Sequence, residues 1–379
     1  MRPITDRRDT PAFGTPELPA QRIAVQKSHT KEAVREISFT AFTIRMAASC
    51  VLTWGLIWAY VSAFPMAYQD RDYPLSVAKA ALAAQCRPNV VAVFGDSRAV
   101  AGVLPAAMPI PTENFALSGT SPVETYFMVK QLLRCPSPPR LVVIAHSASN
   151  YAGDAYFWEF DARTGFLNTS DIRSVEADAR RLRDDELQVA RHAGGLPYGL
   201  LASLYEIHFP PLYFASLING YVAGRWQYNQ QVVHDVLASS GHALFGTADG
   251  SDDVADEATM PEWRVSPLVN LYLNRTLALL GERKVPVVIL TMPVNEATCH
   301  RMSPSLQQGF STYLGSIGQT YPGVVMANPV ISCWPDRFYG DAWHFNQSGA
   351  GAFSRYLQSI LAVVLQGRGT RGTAVAAND

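Results

Sequence analysis

The sequence predicts an α/β protein: a three-layer α/β/α, doubly wound parallel sheet of about five strands with a large helical insertion, preceded by one N-terminal transmembrane helix. Three observations carry this prediction. Short apolar runs rich in Val end abruptly at small polar residues, as in VVAVFGDSRAV, Val90 to Val100. Such runs read as strands covered on both faces. Segments with apolar residues at helical spacing lie between them, and strands alternating with helices imply parallel pairing. Ahead of them all stands a 19-residue run without a formal charge, Met46 to Phe64, about the length a bilayer requires of a helix.

Residues 1–45 carry eight Lys/Arg and five Asp/Glu, a net of +3, which leaves −4 for the remainder of a chain whose total is −1. They are polar, contain proline and show little periodicity, as a disordered cytoplasmic tail does. Arg45 flanks the apolar run on one side and Asp70, Arg71 and Asp72 on the other, with Trp58, Tyr60 and Tyr68 as interfacial anchors. The positive-inside rule places the N-terminus in the cytoplasm and the bulk of the chain outside the cytoplasmic (inner) membrane, in the periplasm. Val61-Ser62-Ala63 has the small-x-small pattern of a signal-peptide cleavage site, but the 45 leading residues far exceed an ordinary n-region. The run is therefore read as an uncleaved anchor. A core helix is the other alternative, against which stands the lack of any polar face. A net charge near zero offers no electrostatic case for nucleic acid.

Cys50 lies inside the apolar run. The other four cysteines, Cys86, Cys135, Cys299 and Cys333, are an even number, which suits an oxidising compartment. Four allow three pairings. Cys86 and Cys135 each precede a predicted strand, and Cys299 and Cys333 share the C-terminal third, so 86–135 and 299–333 are the expected bridges. No pair has CxxC spacing, which argues against a zinc site.

The elements follow in order. Ser76 to Cys86 has helical propensity. VVAVFG (90–95) is the first strand and TENFALSG (112–119) holds a short second one. Pro122 to Arg134 opens on proline and continues at helical spacing. RLVVIAHS (140–147), VPVVILTMP (285–293) and GVVMANP (323–329) supply three more strands, with helices at Pro267–Glu282 and Ser303–Thr320. This alternation fits a flavodoxin-like domain over residues 76–366. Residues 151–283 interrupt it, and 133 residues are too many for a loop without structure of its own. Ser170 to Arg191 reads as an amphipathic helix closed by Gly194-Gly195. The rest is aromatic (YFWEF, LYEIHFPPLYF, GYVAGRWQYNQ) and reads as a lid or substrate-binding insertion, or as a packing subdomain. Residues 367–379 form a disordered tail.

Ligands of open α/β sheets bind beyond the carboxyl ends of the strands. Ser97, in Gly95-Asp96-Ser97-Arg98, stands there. A plain turn with an N-capping Asp or Ser is the simpler reading. A serine nucleophile needs a base, and the base an orienting carboxylate. Of eight histidines, His29 is in the tail, His192, His208, His234 and His242 are in the insertion, and His300 and His146 follow strands. His344 sits after the fifth strand in DAWHFNQSGA, with Asp341 three residues before it. Asp341 can reach Nδ1 of His344, which fixes the tautomer and leaves Nε2 for Ser97. Asn346, Ser348 or Gly349 then opens the last helix.

These blocks resemble those of the SGNH (GDSL-like) hydrolase superfamily. Gly95-Asp96-Ser97 is similar to its nucleophile block, NFALSG at 114–119 to its second block, and DAWHFNQSGA at 341–350 to its Asp-x-x-His block. The resemblance implies Ser97 as nucleophile, His344 as general base and Asp341 as its orienter, with the Ser97 and Gly119 N–H groups in an oxyanion hole. The third block departs from the family. Where Gly-x-Asn-Asp is expected the chain reads HSASNY, 146–151, so that Asn150 is the remaining candidate for the third oxyanion donor. His146 and Arg98 are candidate substrate contacts, with a core role and a sheet-edge cap as their respective alternatives.

The longer wording GDSRAVAGVLPAAM, NFALSGTSPVETYFMVKQLL and TMPVNE is similar to SGNH-like proteins of exopolysaccharide (alginate or cellulose) acetylation systems. That resemblance implies a membrane-anchored serine acyl esterase or O-acetyltransferase acting on a polysaccharide or acylated glycan beside a multi-pass membrane acyltransferase, with no metal or other cofactor. A catalytically impaired glycan-binding or scaffold component is the alternative, motivated by the broken third block. A lipase or thioesterase acting on membrane-proximal lipids is another.

Overall fold

A computed structural model describes residues 38–70, 72–184, 198–327 and 329–366. Most of the predicted N-terminal tail, the C-terminal tail and the Gly194-Gly195 stop lie outside these residues. The chain divides into two compact units, through Leu52 and from Thr53 onward. The first unit contributes the start of helix α1, Phe39–Ala63. This helix begins seven residues before the predicted run. Ser38 Oγ accepts from the Ala41 amide at 3.2 Å, and one charge at Arg45 does not stop a helix. It is long and apolar enough to cross a membrane, and most of its side chains are exposed.

The second unit holds a five-stranded parallel sheet. Helix α2 (Asp72–Ala84) leads into β1 (Val91–Gly95), α3 (Ser97–Gly102), β2 (Thr112–Asn114), α4 (Pro122–Leu132), β3 (Leu141–Ala145) and α5 (Ala148–Ala152). The aromatic region forms a π-helical turn (Phe157–Ala162), α6 (Thr169–Leu182), α7 (Tyr198–Glu206), α8 (Phe214–Val222) and α9 (Arg225–Ala238). Then follow α10 (Pro267–Glu282), β4 (Val287–Ile289), β5 (Val294–Asn295), α11 (Glu296–Arg301), α12 (Pro304–Thr320), β6 (Val324–Met326), β7 (Cys333–Trp334) and α13 (Gln347–Gln366). The sheet order is β2-β1-β3-β4-β6, every neighbour parallel. β1 and β3 pair along their whole lengths, Val91 opposite Leu141 and Gly95 opposite Ala145. All ten of their residues are buried, as expected of central strands.

Three expectations need correction, and one element was not anticipated. The strand predicted over 285–293 is regular only at 287–289. Its continuation still bonds to β3, Leu290 N donating to Ile144 O and Met292 N to His146 O, but without strand geometry. The helix expected to reach Arg191 ends at Leu182, with Arg183 in the left-handed region at φ 57°. Asp184 is drawn away instead, accepting from Ser266 Oγ at 2.5 Å and Leu268 N at 3.3 Å at the start of α10. Tyr68 is no interfacial anchor: it is buried, and its hydroxyl donates to Val61 O at 2.8 Å. The β5–β7 pair was not anticipated, since two-residue strands carry no periodic signal. Disulfides join Cys86 to Cys135 and Cys299 to Cys333.

Within the interrupting region, α10 packs on α4, and α9 packs on α2. The region is therefore part of the body of the domain and not only a cover over it.

Candidate active site

The nucleophile loop is set by β1. Gly95 approaches β3 so closely that a Cβ there would lie 2.1 Å from Ala145 O. Asp96 caps α3, accepting from Arg98 N at 2.9 Å, and its other oxygen accepts from Ser147 N at 2.7 Å. One buried carboxylate thus ties together the chain ends leaving β1 and β3. Asn114, at the end of β2, donates to the α3 carbonyls of Ala99 (2.9 Å) and Val100 (3.2 Å) and to Val103 O (3.0 Å), and accepts from Ala116 N (3.0 Å). Asn114 thus holds α3 against the loop that carries Gly119.

Ser97 Oγ lies 2.8 Å from His344 Nε2, and His344 Nδ1 lies 2.8 and 3.0 Å from the two oxygens of Asp341. Asp341 also accepts from the Trp343 and His344 amides at 2.8 and 2.7 Å. Burial pushes its carboxyl up, but these bonds outweigh that and hold it below the ordinary carboxylate range. Asn346 moors the loop. Its Oδ1 accepts from Gly349 N at 3.0 Å, which opens α13, and its Nδ2 donates to Arg337 O at 2.9 Å. The Phe245 ring stacks on the His344 ring, centroids 4.9 Å apart. The chain of contacts Ser–His–Asp gives a hydroxyl with a base poised to take its proton and a carboxylate to stabilise the resulting imidazolium.

Ser97 and His344 line a cleft of about 240 Å³ together with Ser118, Gly119, Asn150, Tyr156, Phe160, Phe245 and Trp343. Gly119 has φ +64°, and a Cβ there would lie 2.4 Å from the Phe160 ring. Only glycine fits both the backbone and the ring. Ser97 opens α3, where a first-turn amide has no intrahelical acceptor. Asn150 enters the same cleft. Its Nδ2 donates to Thr120 O at 2.5 Å, and its Oδ1 accepts from Ser147 Oγ at 3.1 Å. A primary amide has a second N–H to offer.

The two candidate substrate contacts are placed otherwise. His146 is fully buried, with Nε2 2.9 Å from Thr125 Oγ1, and does not line the cleft. Burial lowers its pKa to about 4, so it is a neutral core histidine. Arg98 borders the cleft, but its guanidinium is buried and paired at 2.8 Å with Glu257, itself 1% exposed. The acid group it binds belongs to its own chain. Burial opposes ionisation of Glu257, yet the Arg98 charge outweighs it and lowers that carboxyl's pKa. Ser149 Oγ donates to the same carboxylate at 3.1 Å.

Beneath the Gly119 loop, Glu124, Asp154 and Asp161 bring carboxylate oxygens within 4.8 Å of one another. Among the described residues this is the one grouping with the spacing for a cation. Burial, then the Asp161 charge, raises the Glu124 pKa to about 8. Glu124 also caps α4, accepting from Ser121 N at 2.7 Å.

Glu257 and Phe245 were not anticipated from the sequence, and Tyr156 and Phe160 only as the ends of the YFWEF stretch read as lid or substrate-binding. All lie in the interrupting region, where no local pattern marks which aromatic or acid turns toward Ser97. Trp343, inside the Asp-x-x-His spacing, was legible as a neighbour but not as part of the cleft wall. Compared with models of known protein families and with curated proteins, the chain matches none.

Proposed function

We propose that this chain is a membrane-tethered, extracytoplasmic SGNH-type serine acyl esterase or O-acetyltransferase acting on an exopolysaccharide. The observation that carries the reading is the unbroken Ser97–His344–Asp341 hydrogen-bond chain at the carboxyl end of the sheet. The strand order supports it. In a doubly wound, flavodoxin-like sheet with this order, ligands bind where the order reverses, here between β1 and β3. Ser97 follows β1 and Asn150 follows β3.

Ser97 Oγ attacks the acyl carbonyl carbon as its proton passes to His344 Nε2. The negative charge on the carbonyl oxygen is met by the amides of Ser97 and Gly119 and by Asn150. The bond to the leaving oxygen breaks, and that oxygen takes the proton from His344. An acyl ester on Ser97 remains. Water or a sugar hydroxyl then attacks it as His344 removes the acceptor's proton, the bond from Ser97 Oγ to the acyl carbon breaks, and Oγ takes that proton back from His344. Hydrolysis and transfer differ only in which acceptor enters the cleft. The membrane-length helix, with its basic N-terminal side, supports an N-terminus in the cytoplasm and a catalytic domain outside; a multi-pass acyltransferase as partner rests on the resemblance alone.

The test is an incubation of the full chain in detergent micelles with p-nitrophenyl acetate, with and without a plain oligosaccharide, beside Ser97→Ala. Nitrophenol release by the wild type alone supports the nucleophile, and acetyl on the sugar selects transferase over esterase. Equal inertness of both proteins, with no labelling of Ser97 by a fluorophosphonate, refutes the reading.

A further inference from the structure

Residues 207–224, IHFPPLYFASLINGYVAG, contain no Asp, Glu, Lys or Arg. They include α8, whose side chains face outward: Ile218, Tyr221 and Val222 are 67%, 89% and 81% exposed, and Phe214 is 41%. Its inner side packs on the Val61–Tyr68–Tyr213 cluster through Leu217, with Gly220 against Tyr68, but the face carrying Ile218, Tyr221 and Val222 is left uncovered among the described residues. What it touches at its edge is α1. The Trp54 ring meets Phe209 and Phe214 edge-on, each at 6.3 Å between centroids, and Trp58 meets Phe209 at 5.8 Å. Trp58 Nε1 donates to Ile207 O at 2.7 Å.

These contacts set a depth. Trp54 lies nine residues before the end of α1 at Ala63, about 14 Å along the helix axis at 1.5 Å per residue. That is about the thickness of one hydrocarbon leaflet, half of roughly 30 Å. Where α1 spans, Phe209 and Phe214 lie at the depth of Trp54, within the outer leaflet. The local chemistry suits lipid. Helical hydrogen bonds satisfy the α8 backbone, Pro210 and Pro211 have no N–H to bury, and the Ile207 carbonyl is capped by indole. Trp226 and Tyr228 follow at 43% and 47% exposure, with the Arg225 guanidinium 5.7 Å over the Tyr228 ring. Aromatics and arginine in that sequence mark a membrane–water interface.

We infer that the segment around α8 is a second membrane element, seated in the outer leaflet against α1 and contacting lipid through Ile218, Tyr221 and Val222. The inference rests on the reading of α1 as a membrane span. Its consequence reaches the cleft. Arg163 directly follows the π-helical turn that carries Phe160, and it grips the seated segment, bonding to Ser216 Oγ and lying over the Tyr213 ring at 6.0 Å. The cleft wall over Gly119 is thereby braced on the bilayer, and the acyl group is presented at the membrane surface.

The test uses the full chain in phosphatidylcholine–phosphatidylglycerol vesicles at low protein-to-lipid ratio. Cys50, the one free cysteine, is labelled with NBD in the wild type. In a Cys50→Ser background single cysteines are placed at Tyr221, at Val222, and at Gln307 on the exposed polar face of α12. Doxyl lipids should quench labels at 50, 221 and 222 at least twofold and leave 307 unchanged. A quenched label at 50 with 221 and 222 behaving as 307 overturns the seat while leaving α1 as a span. Blue-shifted but unquenched emission at 221 and 222 means that a second copy covers the face, and also overturns it. No quenching at any position removes the span, and the inference with it.

Discussion

Three side chains in two loops carry the chemistry, and their neighbours set how well it works. Asp341 is held ionised by His344 and two backbone amides. Asp341→Asn keeps the shape but loses the tautomer control, so kcat for p-nitrophenyl acetate should fall about 10⁴-fold with KM little changed. Asn150→Ala should cost about 10²–10³-fold, the worth of an oxyanion donor, and an unchanged kcat would remove it from that role. His242 gives a pH signature of its own. Burial and then the Lys79 charge lower its pKa to about 4, whereas in the unfolded chain it titrates near 6.5. Between those values the unfolded state binds the extra proton, so stability falls as pH falls. Relative to His242→Gln, the wild type should lose about 1.5 kcal/mol in urea unfolding between pH 6.5 and 5, the slope approaching about 1.36 kcal/mol per unit only once the unfolded imidazole is mostly protonated. A pH-independent difference would show that His242 is already protonated or solvated in the fold.

Elements bring these residues together through a few cross-links. The Cys86–Cys135 bridge joins the end of α2 to the end of α4 and closes a loop with a sequence separation of 49. Replacing both cysteines by alanine should lower the unfolding free energy by about 2–4 kcal/mol, the loss expected for a loop of this size. Esterase activity at 25 °C should persist, since neither residue lines the cleft. A variant as stable as wild type under non-reducing conditions would mean that the bridge constrains little of the unfolded chain. At this scale the sequence was most legible where a period existed. The strand starts, the helix opened by Pro122 and the Pro267–Glu282 helix all follow from spacing and the proline start. It was least legible where tertiary contacts override local preference, as at Asp184, which leaves a helical run to cap α10.

For the whole molecule, α1 is long and apolar enough to cross a membrane and is also a packing partner. Val61 packs with Tyr68 and Tyr213, and Trp54 and Trp58 cover Phe209 and Phe214. A chain beginning at Pro65 loses all of these contacts. It should elute as aggregate in detergent-free buffer and as a single species when micelles are added. A monodisperse elution without detergent would show that the exposed α8 face is covered from within the domain. The full chain should partition with membranes and resist extraction at high pH, as a spanning helix does.

The sequence by itself determined the five strands of the main sheet, the membrane-length helix, Ser97 just beyond β1, and the Asp341–His344 pair ahead of the last helix. Each of these depends on short-range rules: apolar period, caps, and the three-residue reach from Asp341 to Nδ1. Tertiary structure alone decided the rest. That Arg98 is neutralised by Glu257, that His146 is core, that Tyr68 turns inward onto Tyr213 and that Phe245 stacks on His344 depend on residues far apart in the chain. No local pattern encodes such a meeting, because burial and pairing energies belong to the packed site and not to either segment.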